Sequence, residues 1–300
     1  MRRHLAFALF AALGLGTITL VRAGTQVRAG TGAGEGPVWQ SAAAIDVHAH
    51  LGTFGGYDLS LPTLLDNIER HSIRFALVSN IDGASLPGVT GDLGELAANE
   101  AARVIVAGQP KLRGLAWARP GDKGSSPENL VPYFEKHHFV GVKLHPEMNH
   151  FAADAPVVDG YLALCERFGV PAVFHCQTAA PIAAVARRHP KVPVILYHSG
   201  FGSDHEEAIE QVEQAIKAKN ADLYLETAQV EPAKALEMVK RVGAGRVVFG
   251  TDATYFGKEH YRKYTELVKL LAHELSPADF RLVMSGNAER LFHLPAGGGR

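Results

Sequence analysis

Short apolar runs alternate with amphipathic segments along the chain, from about residue 43 to residue 294. Eight of these runs are rich in apolar residues and have the length of buried strands: Ala43–Val47, Ile73–Ser79, Leu112–Ala118, Val140–Leu144, Val170–Phe174, Val192–Tyr197, Leu223–Leu225 and Val247–Gly250. Continuous apolar strands that are separated by helices are typical of a parallel sheet buried on both faces.

The segments between the strands repeat apolar residues at intervals of three and four, which is the spacing of an amphipathic helix. The clearest of them are Leu61–His71, Glu128–His138, Val157–Phe168, Glu206–Ala218 and Pro232–Val242. Eight strand–helix units in about 250 residues predict an α/β fold, a (β/α)8 TIM barrel, over residues 43–294. A large doubly wound sheet is the alternative, but no Gly-x-Gly-x-x-Gly sequence follows the first strand.

His48 and His50 lie at the end of the first predicted strand. Residues two apart on a strand point to the same face, so the two imidazoles are expected to lie side by side and could chelate a divalent metal. An isolated His-x-His sequence more often marks an ordinary strand with one buried and one exposed histidine. The ends of other predicted strands, however, carry further residues of the ligand type: Lys143, His145, His175, His198, Glu226 and Asp252.

The carboxyl ends of all strands of a (β/α)8 barrel meet at one rim, where the catalytic groups of such enzymes lie. Closure of the barrel brings the ends of the first and eighth strands together, which predicts that Asp252 lies beside the His48/His50 pair. Six of the eight predicted strands end in residues of this type. The sequence therefore indicates a metal site at the rim rather than a set of unrelated polar residues.

The N-terminal region has the layout of a secretory signal peptide. Two arginines precede an apolar stretch from Leu5 to Val21, and Val21-Arg22-Ala23 resembles a cleavage site. A second candidate site ends at Ala29, and an uncleaved membrane anchor is the alternative, although the stretch is short for one. We predict that cleavage removes residues 1–23 and that the mature chain is exported to the periplasm or the medium. After cleavage we expect no stable association with the membrane.

The composition is that of an ordinary globular chain of 300 residues, of which 47% are hydrophobic, with a formal net charge of −1. No basic block stands out, so we expect a small-molecule substrate and no nucleic-acid partner, and a homo-oligomer is compatible with the sequence. Residues 24–42, with many Gly and Ala, are predicted to form a flexible lead-in, and residues 295–300 a tail. Cys165 and Cys176 are predicted to lie too far apart for a disulfide and to be free and buried.

Six short motifs resemble those of a known family: Asp46-Val47-His48-Ala49-His50-Leu51-Gly52, Gly141-Val142-Lys143-Leu144-His145-Pro146, Phe174-His175, Tyr197-His198-Ser199-Gly200, Phe249-Gly250-Thr251-Asp252 and Gly286-Asn287-Ala288-Glu289-Arg290-Leu291-Phe292. With these motifs the chain resembles the amidohydrolase superfamily, in the amidohydrolase-related branch that also contains aminocarboxymuconate-semialdehyde decarboxylase. The resemblance covers Ala43 to about Leu294 and implies a metal-dependent enzyme on a TIM barrel. It carries little information about the substrate, because this fold serves many chemistries.

The resemblance implies that His48, His50, His175 and Asp252 hold one divalent metal ion. Three imidazoles and a carboxylate suit Zn²⁺ best, and Mn²⁺ or Fe²⁺ would also accept them. Asp252 is implied to be the general base that takes a proton from a metal-bound water. His198 is implied to lie behind the ligands and to polarise a substrate carbonyl or donate a proton to the leaving group.

Lys143 has two interpretations under this resemblance. In binuclear members of the superfamily a strand-4 lysine is carbamylated and bridges two metals, whereas in the mononuclear branch a cationic lysine would bind a substrate anion. The Lys-Leu-His-Pro context is closer to the mononuclear branch, so we expect one metal, with Lys143 and His145 binding substrate. An equal alternative is that His145 supports the metal site indirectly, through a hydrogen bond to one of the metal ligands. Glu226 is expected to orient a ligand, bind substrate or pair with Lys143, and Asp46 to face inward, below His48, in a structural role.

Three functions are compatible with these residues. We expect hydrolysis of a small ester, lactone or amide that carries a carboxylate, with the metal activating water. The first alternative is non-oxidative decarboxylation of an unsaturated or aromatic acid, which would use the same residues. The second is a non-catalytic, exported, metal-binding barrel, which the complete set of ligands disfavours.

Overall fold

The computed structural model describes residues 36–201 and 205–297. The predicted signal peptide, residues 1–23, and the end of the predicted tail, residues 298–300, lie outside these described residues. Within the described ranges, no helix combines the length and the apolar character that crossing a membrane requires.

Among the described residues, eight parallel strands form one sheet in the order in which they occur along the chain. They are β1 (Ile45–Leu51), β2 (Phe75–Asn80), β3 (Leu112–Ala118), β4 (Gly141–Leu144), β5 (Ala172–His175), β6 (Pro193–Tyr197), β7 (Asp222–Glu226) and β8 (Val247–Val248). Backbone hydrogen bonds close β1 onto β8 and the segment that follows it. The Val47 N–H donates to Phe249 O at 3.1 Å, and the His50 N–H donates to Ala253 O at 2.7 Å. The predicted (β/α)8 TIM barrel is therefore confirmed.

In the part of the chain that the structure describes, the helices are α1 (Gly36–Ala42), α2 (Leu61–Arg70), α3 (Glu95–Ala107), α4 (Pro127–His137), α5 (Pro156–Phe168), α6 (Ala179–Arg188), α7 (Glu206–Ala218), α8 (Pro232–Val242), α9 (Thr265–Glu274), α10 (Pro277–Arg281) and α11 (Asn287–Leu291). α1 precedes β1 and the other helices follow strands, most of them on the outside of the barrel. α11 instead contributes Ala288 and Leu291 to the inner apolar cluster. The five predicted helices are confirmed within one residue at each end. The sequence pattern did not identify α3 and α6, because their many alanines make the apolar face hard to distinguish from the exposed face.

The strand side chains alternate between two apolar layers, as the period of a strand requires. The inner layer fills the barrel and includes Ile45, Leu77, Leu115, Val173, Ile195, Val248 and Phe292. The outer layer joins the strands to the helices and contains both cysteines, Cys165 and Cys176. Both thiols are free and buried, so this prediction is confirmed. The polar rim lies above the inner layer, at the carboxyl ends of the strands.

The end of the predicted lead-in is helical rather than flexible. α1 carries Trp39, whose side chain is buried and whose ring contacts Phe249 and Tyr261 at centroid distances of 6.1 and 6.0 Å. Its Nε1–H donates to Thr265 Oγ1 at 3.2 Å. A tryptophan that buries its ring and also satisfies its N–H is a strong anchor, which explains why this segment is ordered against the barrel.

Candidate metal centre

β1 extends beyond its apolar run and contains both rim histidines. The apolar pattern predicts an end at Val47, but the strand continues to Leu51. Its pairing with β2 shifts register between Asp46 and Ala49. Such an irregularity changes which side chains share a face, and here Val47 belongs to the inner layer while Ala49 belongs to the outer layer. The two histidines of the strand consequently both turn toward residues from the other strand ends.

Three side-chain atoms converge where β1 meets the segment after β8. His48 Nε2 lies 3.1 Å from His50 Nε2. Asp252 Oδ1 lies 3.3 Å from His48 Nε2 and 3.2 Å from His50 Nε2. Atoms that each lie about 2.1 Å from one ion are about 3 to 3.4 Å apart. The triangle therefore has the size of three ligands around a single metal ion, and it brings together three of the four predicted ligands.

The protonation of the triangle also suits a cation. Burial holds the pKa of His48 well below its ordinary value and lowers the pKa of His50, so both rings are neutral at pH 7. His50 Nδ1 lies 3.0 Å from Ser79 Oγ, and His48 Nδ1 lies 3.6 Å from Glu226 Oε2. Burial alone would raise the pKa of Asp252, but the bond with His50 and nearby positive charge hold it below its usual range. An ionised carboxylate facing two lone-pair nitrogens is stabilised by a cation between them.

His175, the fourth predicted ligand, ends β5 and lies outside this triangle in a second group with His145 and Glu147. Its Nδ1 lies 3.1 Å from Glu147 Oε2, and the two imidazoles stack with centroids 3.9 Å apart. Burial lowers the pKa of His145 to about 4 and that of His175 to about 3, so both rings are neutral. Burial alone would raise the pKa of Glu147, but its close contacts with both histidines hold it below its ordinary value. Nε2 is thus the nitrogen of His175 that remains for a metal.

Glu226 ends β7 and holds the turn that follows β6. Its Oε2 accepts a hydrogen bond from the His198 N–H at 2.7 Å, and its Oε1 accepts one from the Ala228 N–H at 2.9 Å. Ser199 Oγ bonds to both backbone groups of Glu226. The carboxyl group is fully buried, and this burial raises its pKa well above the ordinary value. No ion pair joins Glu226 to Lys143 among the described residues, so Glu226 orients His198 instead.

His198 and Asp252, the two predicted catalytic residues, lie close to each other. His198 Nδ1 lies 3.3 Å from Ala228 O, a contact in which the ring must donate, so Nε2 carries the lone pair. Burial lowers the pKa of His198 to about 3. His198 Nε2 lies 4.0 Å from Asp252 Oδ2, and Gln229 Nε2 donates to the same oxygen at 2.6 Å. The carboxylate is therefore fixed between the triangle on one side and the turn after β7 on the other.

Lys143 projects from β4 into the middle of this group. Its Nζ is buried and has no hydrogen-bond partner among the described atoms. It lies 4.2 Å from the centre of the Tyr197 ring, and His48 stacks on the same ring at 3.8 Å. Burial lowers the pKa of Lys143 to about 7, although Asp252 and Glu226 oppose this shift. A buried amine without a partner is costly, so the position suits a group that is not part of the chain.

Asp46 has the predicted structural role, but its carboxylate reaches the outer layer rather than the interior. It accepts hydrogen bonds from the backbone N–H groups of His48 at 2.9 Å and Thr251 at 3.0 Å. It also accepts one from Tyr261 Oη at 2.8 Å, and Tyr261 belongs to the outer layer. The register shift in β1 explains the difference, because it breaks the alternation that would place Asp46 below His48. Asp46 thus ties β1 to the residue that precedes Asp252.

Aromatic side chains surround the polar group. Trp117 stacks on His145 with centroids 6.1 Å apart, and Tyr255 contacts His50 edge-on at 6.1 Å. Phe201 lies 4.8 Å from His198 between ring centres and keeps 39% of its surface exposed. The walls around the charged centre are thus apolar and flat.

Sequence reasoning missed Glu147, Gln229 and Tyr197 as parts of this site. The sequence could have identified Glu147, since this residue directly follows the Lys-Leu-His-Pro motif in the loop after β4. Gln229 lies beyond the end of β7 in a turn, and nothing in its surroundings distinguishes it from other loop residues. The sequence pattern places Tyr197 at an ordinary apolar strand position. Only the fold shows that its ring contacts both His48 and Lys143.

A sequence model of the amidohydrolase family matches residues 45–294. No curated protein sequence matches the chain. Among solved structures, 5-carboxyvanillate decarboxylase from Sphingomonas paucimobilis is similar at 14% identity, with a TM-score of 0.61 over 84% of this chain and 99% of that chain.

Two further structures show the same architecture. A probable 2-pyrone-4,6-dicarboxylic acid hydrolase from Acinetobacter baumannii is similar at 14% identity, with a TM-score of 0.59 over 84% of this chain and 99% of that chain. A dihydroxybenzoic acid decarboxylase from Polaromonas with bound manganese is similar at 17% identity, with a TM-score of 0.58 over 84% of this chain and 97% of that chain. At such identities the likeness establishes the fold and not the reaction.

Proposed function

The chain belongs to the amidohydrolase family, and on that basis we propose that it is a metal-dependent hydrolase of a small ester, lactone or amide that carries a carboxylate. The observation that supports this most directly is the triangle of His48 Nε2, His50 Nε2 and Asp252 Oδ1, with edges of 3.1, 3.3 and 3.2 Å. A set of two neutral imidazoles and one carboxylate is a common donor set for a catalytic divalent ion.

The proposed metal site consists of the triangle residues, with His175 Nε2 as the fourth ligand. The ion supplies a Lewis acid that makes water a better nucleophile at neutral pH. Zn²⁺ suits this donor set best, and Mn²⁺ is the next candidate because three of the similar structures contain manganese.

Asp252 and His198 are proposed to carry the protons. Asp252 is ionised and accepts a proton from the attacking water. His198 Nε2, which carries a lone pair, receives this proton from Asp252 and passes it to the leaving group. Hydrolysis needs both transfers, because one proton must leave the water and one must reach the departing atom. Two proton carriers 4.0 Å apart beside the triangle meet this need. Hydrolysis would use both residues of the pair, whereas decarboxylation needs only one proton donor to carbon.

Lys143 is proposed to bind the carboxylate of the substrate. Its Nζ lacks a partner among the described atoms, and an incoming carboxylate would provide both a hydrogen bond and a compensating charge. The flat apolar walls formed by Trp117, Tyr255 and Phe201 suit a planar or unsaturated body attached to that carboxylate. His145 would contribute to the same side through its stacked position next to His175.

Decarboxylation of an aromatic or unsaturated acid is the second candidate. It is supported by the same unpartnered Lys143, since the lysine would bind a carboxylate in either reaction. Two of the three similar structures described above are decarboxylases, which makes this reaction worth testing directly.

The test uses the purified chain loaded with Zn²⁺ or Mn²⁺ and two substrate panels, one of carboxylated lactones, esters and amides and one of aromatic and unsaturated acids. The reactions run in ¹⁸O-labelled water, and both labelled product and released CO₂ are measured. The proposal predicts ¹⁸O in the product without CO₂. Release of CO₂ without ¹⁸O incorporation would contradict hydrolysis and support the second candidate. Absence of turnover with either panel by a fully loaded protein would support the non-catalytic metal-binding barrel.

A further inference from the structure

Glu147 lies in the loop after β4, two residues beyond His145, and its side chain is 19% exposed. Its Oε2 lies 3.1 Å from His175 Nδ1 and 3.3 Å from His145 Nδ1. Glu147 is not one of the proposed metal ligands, and the proton transfers proposed above do not use it. Its place is nevertheless fixed by contact with the residue proposed as the fourth ligand.

A neutral imidazole has one N–H and one lone pair, and an ionised carboxylate can only accept hydrogen bonds. When His175 donates from Nδ1 to Glu147, the proton is held on Nδ1 and the lone pair on Nε2. Histidines that bind metals commonly make such a bond from the nitrogen that does not touch the ion, and the carboxylate also raises the basicity of the ring. Stacking of the His175 and His145 rings at 3.9 Å further restricts rotation of the imidazole.

We propose that Glu147 is a positioning residue for the metal centre, which holds His175 in the tautomer and orientation that direct Nε2 to the ion. This inference rests on the proposed function, because it takes His175 as a ligand. The role is exerted through His175 in particular. His145 Nδ1 also lies 3.3 Å from the Met148 N–H, and one nitrogen of a neutral ring cannot accept that bond and donate to Glu147 as well.

The experiment measures Co²⁺ binding to the metal-free chain by competition with a chelator and records the visible spectrum of bound Co²⁺, which reports its coordination. Glu147→Ala is expected to weaken Co²⁺ affinity by about 10- to 100-fold and to change the spectrum. Glu147→Gln is expected to fall between Ala and wild type, because the amide oxygen still accepts the Nδ1–H but carries no charge. The matched control is Glu166→Ala, an exposed carboxylate on α5 paired with Lys191, which should bind Co²⁺ like wild type.

An affinity within about twofold of wild type and an unchanged spectrum in Glu147→Ala would overturn the inference, even if the variant is less stable, because loss of stability alone indicates a merely structural role. If Glu147→Ala does not fold, Glu147→Gln decides in the same way, and wild-type affinity in that variant overturns the inference. Failure of the wild-type chain to bind Co²⁺ would instead overturn the proposed function. The two failures are therefore distinguishable.

Discussion

At the scale of single residues, the proposed proton carriers share an unusual backbone conformation. His198 and Asp252 have φ values of 62° and 61°, in the left-handed region that residues other than glycine rarely adopt. Such conformations cost roughly 1 to 3 kcal/mol each and persist where the surroundings hold them. Here Glu226 binds the His198 backbone and Gln229 binds the Asp252 carboxylate. Both residues that are proposed to carry protons are thus among the positions held in this conformation.

Asp252→Asn tests the role of this carboxylate as a base. The amide keeps a similar shape and one oxygen, so we expect the metal content to fall only partly. The catalytic rate should fall by at least about 100-fold, because general-base catalysis contributes on that order. Metal analysis and turnover are measured on the same preparation. Turnover near the wild-type rate would remove Asp252 from the chemistry.

Lys143→Met tests the burial of the unpartnered amine through the pH dependence of stability. The pKa of Lys143 is about 7 in the folded chain and 10.5 ordinarily, because burial disfavours the charged form. Between these values the unfolded chain binds a proton that the folded chain does not, so wild-type stability rises with pH. The stability advantage of the methionine variant should thus be greatest at or below pH 7 and shrink by up to about 1.4 kcal/mol per pH unit toward pH 10.

Urea unfolding of the metal-free proteins at several pH values provides this measurement. Lys191→Met, at an exposed lysine, is the control and should show no such trend. A stability difference between Lys143→Met and wild type that stays constant from pH 7 to 10 would show that the amine is not desolvated in the folded state.

At the scale of elements, the sequence predicted the strands and five of the eleven helices in the described ranges, but not the details that build the site. β3, α7 and α8 have the predicted bounds, because their apolar runs and their flanking residues agree. β1 is longer than predicted, because its two polar histidines interrupt the apolar run that marks a strand. The register shift between β1 and β2 leaves no trace in the sequence pattern. The convergence of Asp252 with the histidine pair was predictable from barrel closure alone. The contact between Glu147 and His175 depends on the path of a loop, which periodicity does not report.

Gly250 shows how closely the elements meet beneath the site. A Cβ at this position would lie 1.9 Å from Glu226 Oε1, so β8 and β7 can approach only with glycine there. Gly250→Ala should displace the Glu226 carboxylate, release the His198 N–H and lower the free energy of unfolding by about 1 to 3 kcal/mol. Gly245→Ala is the control, since no atom lies within 4 Å of its would-be Cβ. Urea unfolding compares the two, and equal stability would mean that Glu226 can move aside without cost.

At the scale of the whole molecule, eight strand–helix units put the ligand residues of distant sequence segments on one rim, while the apolar interior lies below them. The core therefore does not depend on the rim, and substitutions of the rim histidines should leave the barrel folded. The order of apolar and polar residues predicted this architecture because each strand–helix unit repeats the same apolar pattern. It did not identify the docking of α1, since a single buried tryptophan in a Gly- and Ala-rich segment gives no periodic signal.

Export is the second expectation at this scale, and it concerns residues outside the described ranges. We predict that expression in a bacterial host with an intact secretion system yields a mature chain that begins at Gly24, after removal of residues 1–23. Mass spectrometry of the periplasmic or secreted protein measures this directly. A chain that retains its first residues and stays with the membrane fraction would support the uncleaved anchor instead.

Native mass spectrometry of the wild-type chain and of His50→Ala measures whether the triangle holds a metal ion. We expect one divalent ion per wild-type chain and loss of that ion in His50→Ala, with unchanged folding by circular dichroism. His273→Ala, at a histidine whose side chain is 83% exposed, should keep the ion. One equivalent of metal in the His50→Ala protein would contradict the assignment of the triangle, and two equivalents in wild type would contradict a single-metal site.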